Sequence, residues 1–276
     1  MRIEQIYEKC LSQASYYIEH NGIAAVIDPL RDIDRYEKMA SQTGAVIAFI
    51  FETHFHADFV SGHLELARAT GAQIVFGPMA KTDFACHVAQ DNETFYLNGI
   101  ELTLLHTPGH TLESSCFLLK DEAGQPIALF TGDTLFLGDV GRPDLAQDMD
   151  KQLTQQDLAG MLFDSLRKKI MPLPDETVIY PGHGAGSACG KNMSSDTSGS
   201  LASQRQSNYA LDENLDRSDF IGMLCENLPA APSYFPMNVK MNSKGYQPLR
   251  GVIKDALNPL SPMNFKTRMR VQAHWY

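Results

Sequence analysis

Cysteine is scarce in this chain and follows no pattern. The five cysteines (Cys10, Cys86, Cys116, Cys189, Cys225) are odd in number, widely scattered and include no CxxC pair, so neither a disulfide framework nor a thiolate zinc site is indicated. Long apolar runs are also missing. None approaches the roughly 20 residues that span a bilayer, and the opening stretch MRIEQIYEKCLSQASYYIEH is acidic where a secretory leader is basic and then apolar. A cytoplasmic protein with reduced thiols and no membrane partner is expected. Basic charge is short as well: the net charge of -10 argues against nucleic acid, whose phosphates attract clustered Lys and Arg. Two nucleotide and hydrolase signatures are absent. Gly184-Ala185-Gly186-Ser187 breaks the GxGxxG spacing at Cys189, and no GxSxG elbow occurs.

What is present is ordinary globular material. Hydrophobic residues make up 43% and charged ones 20%, enough to bury a substantial core. The 276 residues exceed the usual single-domain length of roughly 100 to 200, so one large domain with an appendage is expected.

Short apolar runs bounded by Gly, Pro or Asp alternate with helical stretches along the first half. Ile23–Asp28, Val46–Phe51, Gln73–Phe76 and Leu102–His106 read as strands, Ile33–Thr43 as a helix, and Ser61 as the N-cap of a helix through Ala69. Cys116–Lys120 and Ile127–Thr131 read as a hairpin, Thr154–Ile170 as a helix and Thr177–Tyr180 as a strand. The polar stretch Cys189–Ser207 reads as the longest loop. Towards Gly245 the helical pattern gives way to the Pro- and aromatic-bearing run LPAAPSYFPMNVKMN, and the last thirty or so residues have no complete apolar pattern of their own.

Chemistry concentrates at the exits of these strands. In chain order stand His54-x-His56-x-Asp58, Thr107-Pro108-Gly109-His110, Thr131-Gly132-Asp133-Thr134 and Pro181-Gly182-His183-Gly184. Neutral imidazoles and carboxylates are the ligands of zinc and ferrous iron, and ligands on separate strand-end loops let one ion join distant segments. A lone histidine is usually a solvated or hydrogen-bonded residue, the reading kept for His20, His63, His87, His106 and His274. The ordered set of clusters is a metal site.

These residues resemble the signature of the metallo-β-lactamase superfamily over roughly residues 1–190. The resemblance implies an α/β (α+β) fold: a four-layer αββα sandwich with the metal along one edge of the sheets, here with a C-terminal extension. Members resembling glyoxalase II carry HxHxDH, whose last histidine helps to hold a second metal ion. Here that position is Phe59, which cannot ligate. One ion would then rest on a histidine of the HxH pair, the TPGH histidine and the TGD aspartate, a two-histidine, one-carboxylate set of the kind found in Fe(II) oxygenases.

THFHADFVSGHLELA, GDVGRPDLA, YPGHGAGSACG and LPAAPSYFPMNVKMN resemble the persulfide dioxygenases (sulfur dioxygenases), in particular bacterial forms fused to a rhodanese domain. That resemblance implies one Fe(II) per chain on His54, His110 and Asp133, with His56, Asp58 and His183 orienting ligands or bound water as catalytic neighbours. It implies oxidation of a low-molecular-weight thiol persulfide by O2 to sulfite and thiol, in sulfide metabolism or detoxification. It gives Arg142 a substrate carboxylate to bind, such as one of glutathione; pairing with Asp139 or Asp144 is the structural alternative. Cys189, close behind His183, could accept persulfide sulfur, but the inert reading is favoured because nothing in the sequence marks its thiol as reactive.

The dioxygenase domain is accordingly placed at 1–245, with 246–276 a linker or the remnant of a truncated rhodanese domain. Asn258-Pro259-Leu260-Ser261-Pro262-Met263-Asn264-Phe265 resembles the entry to such a domain, yet no cysteine follows it. No rhodanese activity is therefore expected of this chain, and a rhodanese-type sulfurtransferase could act in trans. A homodimer or homotetramer is expected from related enzymes. The alternatives are a glyoxalase II-like thioester hydrolase, with zinc in place of iron, and a non-catalytic scaffold that kept the fold.

Overall fold

The computed structural model describes residues 1–145, 153–191, 193–257 and 260–272. Its chain divides into two compact units, Met1–Gly245 and Tyr246–Tyr276. In the first unit, one sheet runs in the order β1 (Arg2–Glu8), β2 (Gln13–His20), β3 (Ile23–Ile27), β4 (Val46–Phe51), β5 (Gln73–Phe76) and β6 (His87–Val88). The second is built from β7 (Thr94–Leu97), β8 (Ile100–His106), β9 (Ser115–Lys120), β10 (Pro126–Gly132), β11 (Val178–Pro181) and β12 (Gly199–Ser200), in order β12-β11-β10-β9-β8-β7.

Strand periodicity builds the layers. Side chains alternate across a strand, so β9 sends Phe117 and Leu119 to the core between the sheets and Cys116 and Leu118 to the opposite face. The first core gathers Tyr16, Ile18, Phe51, Leu102, Leu104 and Phe130 from both sheets. The second packs Leu118, Leu129 and Ile179 against α3 (Gln155–Ser165) and α5 (Arg217–Cys225). On the first sheet lie α1 (Asp34–Thr43), whose Tyr36 hydroxyl reaches Ser15, and α2 (His63–Thr70). Two sheets faced by helices form the αββα sandwich.

Parallel pairing of β3, β4 and β5 accounts for the near-continuous apolar runs IAAVI and VIAFIF, since such strands are covered on both faces. Most expected elements stand within a few residues. Three local readings change. Ser61 does not cap α2: Gly62 holds that position, and the Ser61 hydroxyl instead stands within hydrogen-bond reach of the Glu52 carboxylate and the Pro29 carbonyl. The stretch read as one loop from Cys189 to Ser207 contains β12 and α4 (Leu201–Ser207), capped by Ser200. The run FPMNVKMNSK is the helix α6 (Phe235–Lys244), with Pro236 in its first turn, where a missing N–H costs nothing.

Helix α3 begins at a capping box between Thr154 and Asp157 and runs into a π-helical turn at Leu166–Ile170. The second unit contains α7 (Leu249–Ala256) and α8 (Pro262–Gln272). Asn258 and Pro259 of the rhodanese-like stretch, and Ala146 of GDVGRPDLA, lie outside the described residues.

Candidate metal centre

Each ligand candidate stands just beyond the C-terminal end of a strand: His54 after β4, His110 after β8, Asp133 after β10 and His183 after β11. A rigid sheet thereby brings together groups that are far apart in sequence. The Nε2 atoms of His54 and His110 lie 3.8 and 3.5 Å from Asp133 Oδ2, and all three side chains are buried. Their donor atoms fall within 4.8 Å of one another.

The tautomers are set by the other nitrogen. His110 Nδ1 donates to the backbone carbonyl of Arg142 at 2.8 Å. Thr53 Oγ1 donates to Asp28 Oδ2 at 2.8 Å and so accepts from His54 Nδ1, 2.9 Å away. Both Nε2 lone pairs are therefore left for a metal. Burial, helped by the neighbouring His56 imidazole, holds His54 well below its ordinary pKa, in the neutral form that a metal needs.

Glycines let the loops close around this point. Gly132 adopts φ +49°, and a Cβ there would stand 2.5 Å from Thr53 Oγ1. At Gly141 a Cβ would come within 2.0 Å of the Asp133 carbonyl oxygen and 2.9 Å of His110 Nδ1.

Among the described residues, Asp133 has a hydrogen-bond partner at one of its two oxygens. Its Oδ1 accepts from His183 Nδ1 at 2.7 Å, and His183 Nε2 donates to Asp58 Oδ2 at 2.9 Å. Burial alone would lower the His183 imidazole, but Asp133 and Asp58 outweigh it and push the group up to about 10. Among the described residues, Asp133 Oδ2 is buried without a hydrogen-bond partner. A buried carboxylate oxygen left unpaired is costly, and a cation between it and the two Nε2 atoms would satisfy it. His54, His110 and Asp133 thus fit a metal ion.

His56 belongs to a neighbouring cluster. Its Nε2 lies 3.1 Å from Asp28 Oδ1 and 3.4 Å from Glu52 Oε2, and its ring packs on His54 with centroids 4.3 Å apart. Burial lowers the His56 imidazole, but the Asp28 and Glu52 carboxylates raise it well above its usual value. Burial also works against the Glu52 carboxylate, yet His63 and His56 bring it down to about 2. Phe59 is buried, and its ring centroid lies 4.4 Å from that of His56.

Arg142 is committed elsewhere. Its Nε and an Nη each lie 2.6 Å from the Asp144 carboxylate, that Nη also donates to the Pro229 carbonyl at 2.6 Å, and the side chain is 3% exposed. This is the structural pairing with Asp144, and no N–H fork is left open for a substrate carboxylate. Cys189 is buried, and burial pushes its thiol well above the ordinary range.

Several supporting residues were not singled out in the sequence. Asp28 and Glu52 each end an apolar strand run with a carboxylate, a signal that was available. Asn242 was not detectable that way. From α6 it donates to the carbonyls of His56 and Phe59, both at 2.8 Å, and accepts from Ser61 N–H at 2.9 Å. Asn238, one turn earlier, donates to the Ala57 carbonyl at 2.9 Å. The metal loop is thus clamped by a helix about 180 residues away in sequence.

The family model of the metallo-beta-lactamase superfamily matches residues 9–183. The chain belongs to that superfamily. Among solved structures, a metallo-beta-lactamase from Staphylococcus aureus subsp. aureus COL is 38% identical with a TM-score of 0.81, covering 90% of this chain and 73% of that one. ETHE1 from Myxococcus xanthus is 27% identical with a TM-score of 0.74, covering 88% of this chain and 98% of that one. A probable hydroxyacylglutathione hydrolase from Schizosaccharomyces pombe is 31% identical over 168 residues, which is 60% of this chain and 60% of the relative. Among the described residues, His54, His110 and Asp133 bring donor atoms within 4.8 Å of one another, and no helix is long and apolar enough to cross a membrane.

Proposed function

We propose that this chain is a mononuclear non-haem iron persulfide dioxygenase that converts a low-molecular-weight thiol persulfide, O2 and water into sulfite, thiol and two protons. The observation that carries the reading is Phe59. It is buried on His56 at the position where related hydrolases have a second-metal histidine, and its apolar ring offers no ligand to a second ion. The motif resemblance and the likeness to ETHE1 support the same reading.

His54, His110 and Asp133 would hold the Fe(II). Bound there, iron supplies the one-electron chemistry that brings a persulfide and O2 to react, which zinc does not. The protein's own part is positioning. Thr53 and the Arg142 carbonyl fix the two histidine tautomers, and His183 fixes the Asp133 carboxylate. The His183 imidazolium, held between Asp133 and Asp58, keeps a proton beside the reacting groups and balances negative charge there. Burial of these side chains keeps bulk water from them.

A second reading, thioester hydrolysis of the glyoxalase II kind, has two observations in its favour. One is the likeness to the hydroxyacylglutathione hydrolase. The other is that, among the described residues, His56 Nδ1 and Asp58 Oδ1 are buried without hydrogen-bond partners, leaving ligand atoms that a second ion could use. Metal analysis of anaerobically purified protein separates the two. The dioxygenase holds about one iron per chain and takes up O2 on glutathione persulfide. A pair of zinc ions with turnover of S-lactoylglutathione and no O2 uptake would overturn it.

A further inference from the structure

Beside the metal loop lies a cavity of about 280 Å³, lined by Ala57 from the loop itself, Asp144 and Leu145, and Phe235, Val239, Lys240 and Lys244 among the residues of α6. Two of its lining residues are connected to the candidate ligands. Ala57 sits between His56 and Asp58, while Asp144 pairs with Arg142, whose carbonyl holds His110. Phe235 is buried and Val239 half-buried, which gives the cavity an apolar floor.

The charge at its mouth is unusual for this molecule. The chain as a whole carries -10, yet between Glu226 and Asp255 the sequence holds no acidic residue. Lys240 and Lys244 are one helical turn apart on α6, so they lie on the same face. Both are exposed, and neither has an ion pair shown among the described residues. Among the described residues, the acidic member of the lining is Asp144, which is neutralised by the bidentate Arg142. Two cations over an apolar floor suit a small ligand with an aliphatic body and carboxylates at its end.

We infer that this cavity binds the non-reacting, carboxylate-bearing part of the carrier thiol, with Lys240 and Lys244 as the specificity-determining cations in place of Arg142. The inference rests on the proposed reaction for its substrate class. A volume of about 280 Å³ accommodates the non-reacting end of a peptide thiol of glutathione size, whose sulfur would extend towards the Ala57 side.

The test is calorimetric titration of the iron-loaded protein with S-methylglutathione, which keeps the carboxylates and cannot react. Wild type should bind it, more weakly as salt is raised. The double variant Lys240→Glu/Lys244→Glu should bind roughly tenfold more weakly, whereas Lys240→Arg/Lys244→Arg should stay within about twofold of wild type. Unchanged iron content in both variants confirms that the centre is intact. Equal binding by the Glu variant, no binding by wild type, or binding of coenzyme A in preference to S-methylglutathione would each overturn the assignment. Because this readout needs no turnover, a charge-dependent binding site found without O2 uptake keeps the cavity and removes the reaction. O2 uptake with no effect of the lysines does the reverse.

Discussion

His183 Nδ1 lies 2.7 Å from Asp133 Oδ1, and that contact decides how the aspartate is used. With Oδ1 occupied and the ring held at its far side by Asp58, only Oδ2 remains to face His54 and His110. Replacing His183 with Ala should lower metal affinity and kcat by roughly 10- to 100-fold while the far-ultraviolet circular dichroism is retained. Titration of apoprotein with Fe(II) under anaerobic conditions measures the first effect, and wild-type affinity in the variant would refute the orienting role.

His110→Ala removes one of the three candidate ligands outright. Iron content should fall from about one per chain towards background, and O2 uptake on glutathione persulfide by on the order of a hundredfold or more. Chelation of the wild-type protein should have the same consequence, reversed by Fe(II) and not by Zn(II). A variant that kept its activity would point to a different ligand set.

Asn242 satisfies three backbone groups of the metal loop from α6. Truncation to Ala leaves buried carbonyls and an N–H unpaired, at a cost of about 2 to 4 kcal/mol, or a fall in Tm of roughly 5 to 10 °C. Iron occupancy should fall with it, because the loop that carries His54 loses its clamp. Thermal unfolding and metal analysis of Asn242→Ala check both; an unchanged Tm would show that water replaces the clamp.

Glu52 gives stability a pH dependence with a definite sign. Its folded pKa of about 2 lies below the ordinary 4.5, so its contribution is fully present above pH 4.5 and is lost as pH falls from there towards 2. Denaturant titrations of the apoprotein should show wild type weakening over that window. Glu52→Gln should be less stable at pH 7 by on the order of 2 kcal/mol and should lack that part of the slope. Parallel curves for the two proteins would count against the assignment.

Thiol labelling separates buried from available cysteines. Cys10 is exposed, whereas burial raises Cys116 to about 11 and Cys189 well above its ordinary value. With a disulfide reagent at pH 8, native protein should label Cys10 rapidly and leave Cys116 and Cys189 unlabelled until denaturant is added. Fast native labelling of Cys189 would contradict an inert thiol.

Much of the site was legible because metal chemistry restricts residue types. His54, His110 and Asp133 stand in short motifs beyond apolar runs, and both the residue type and the strand ending before it are local properties of the chain. Arg142 shows where local reading stops. Its sequence neighbours offered either a substrate carboxylate or Asp144, and only coordinates place the Pro229 carbonyl beside its guanidinium. The run FPMNVKMNSK, with its proline and aromatic residues, did not read as a helix, since its fixed partner is a loop distant in sequence.

By itself, the sequence determined the strand alternation, the candidate ligands and an apolar residue, Phe59, next to Asp58, all of which depend on residue identity and short-range spacing. The tertiary structure decided which oxygen of Asp133 is left for a metal, that His56 faces Asp28 and Glu52, that Arg142 is already paired, and that Lys240 and Lys244 border a cavity beside the metal loop. Those outcomes depend on groups brought together by sheet pairing and helix packing, and no local pattern encodes such distances.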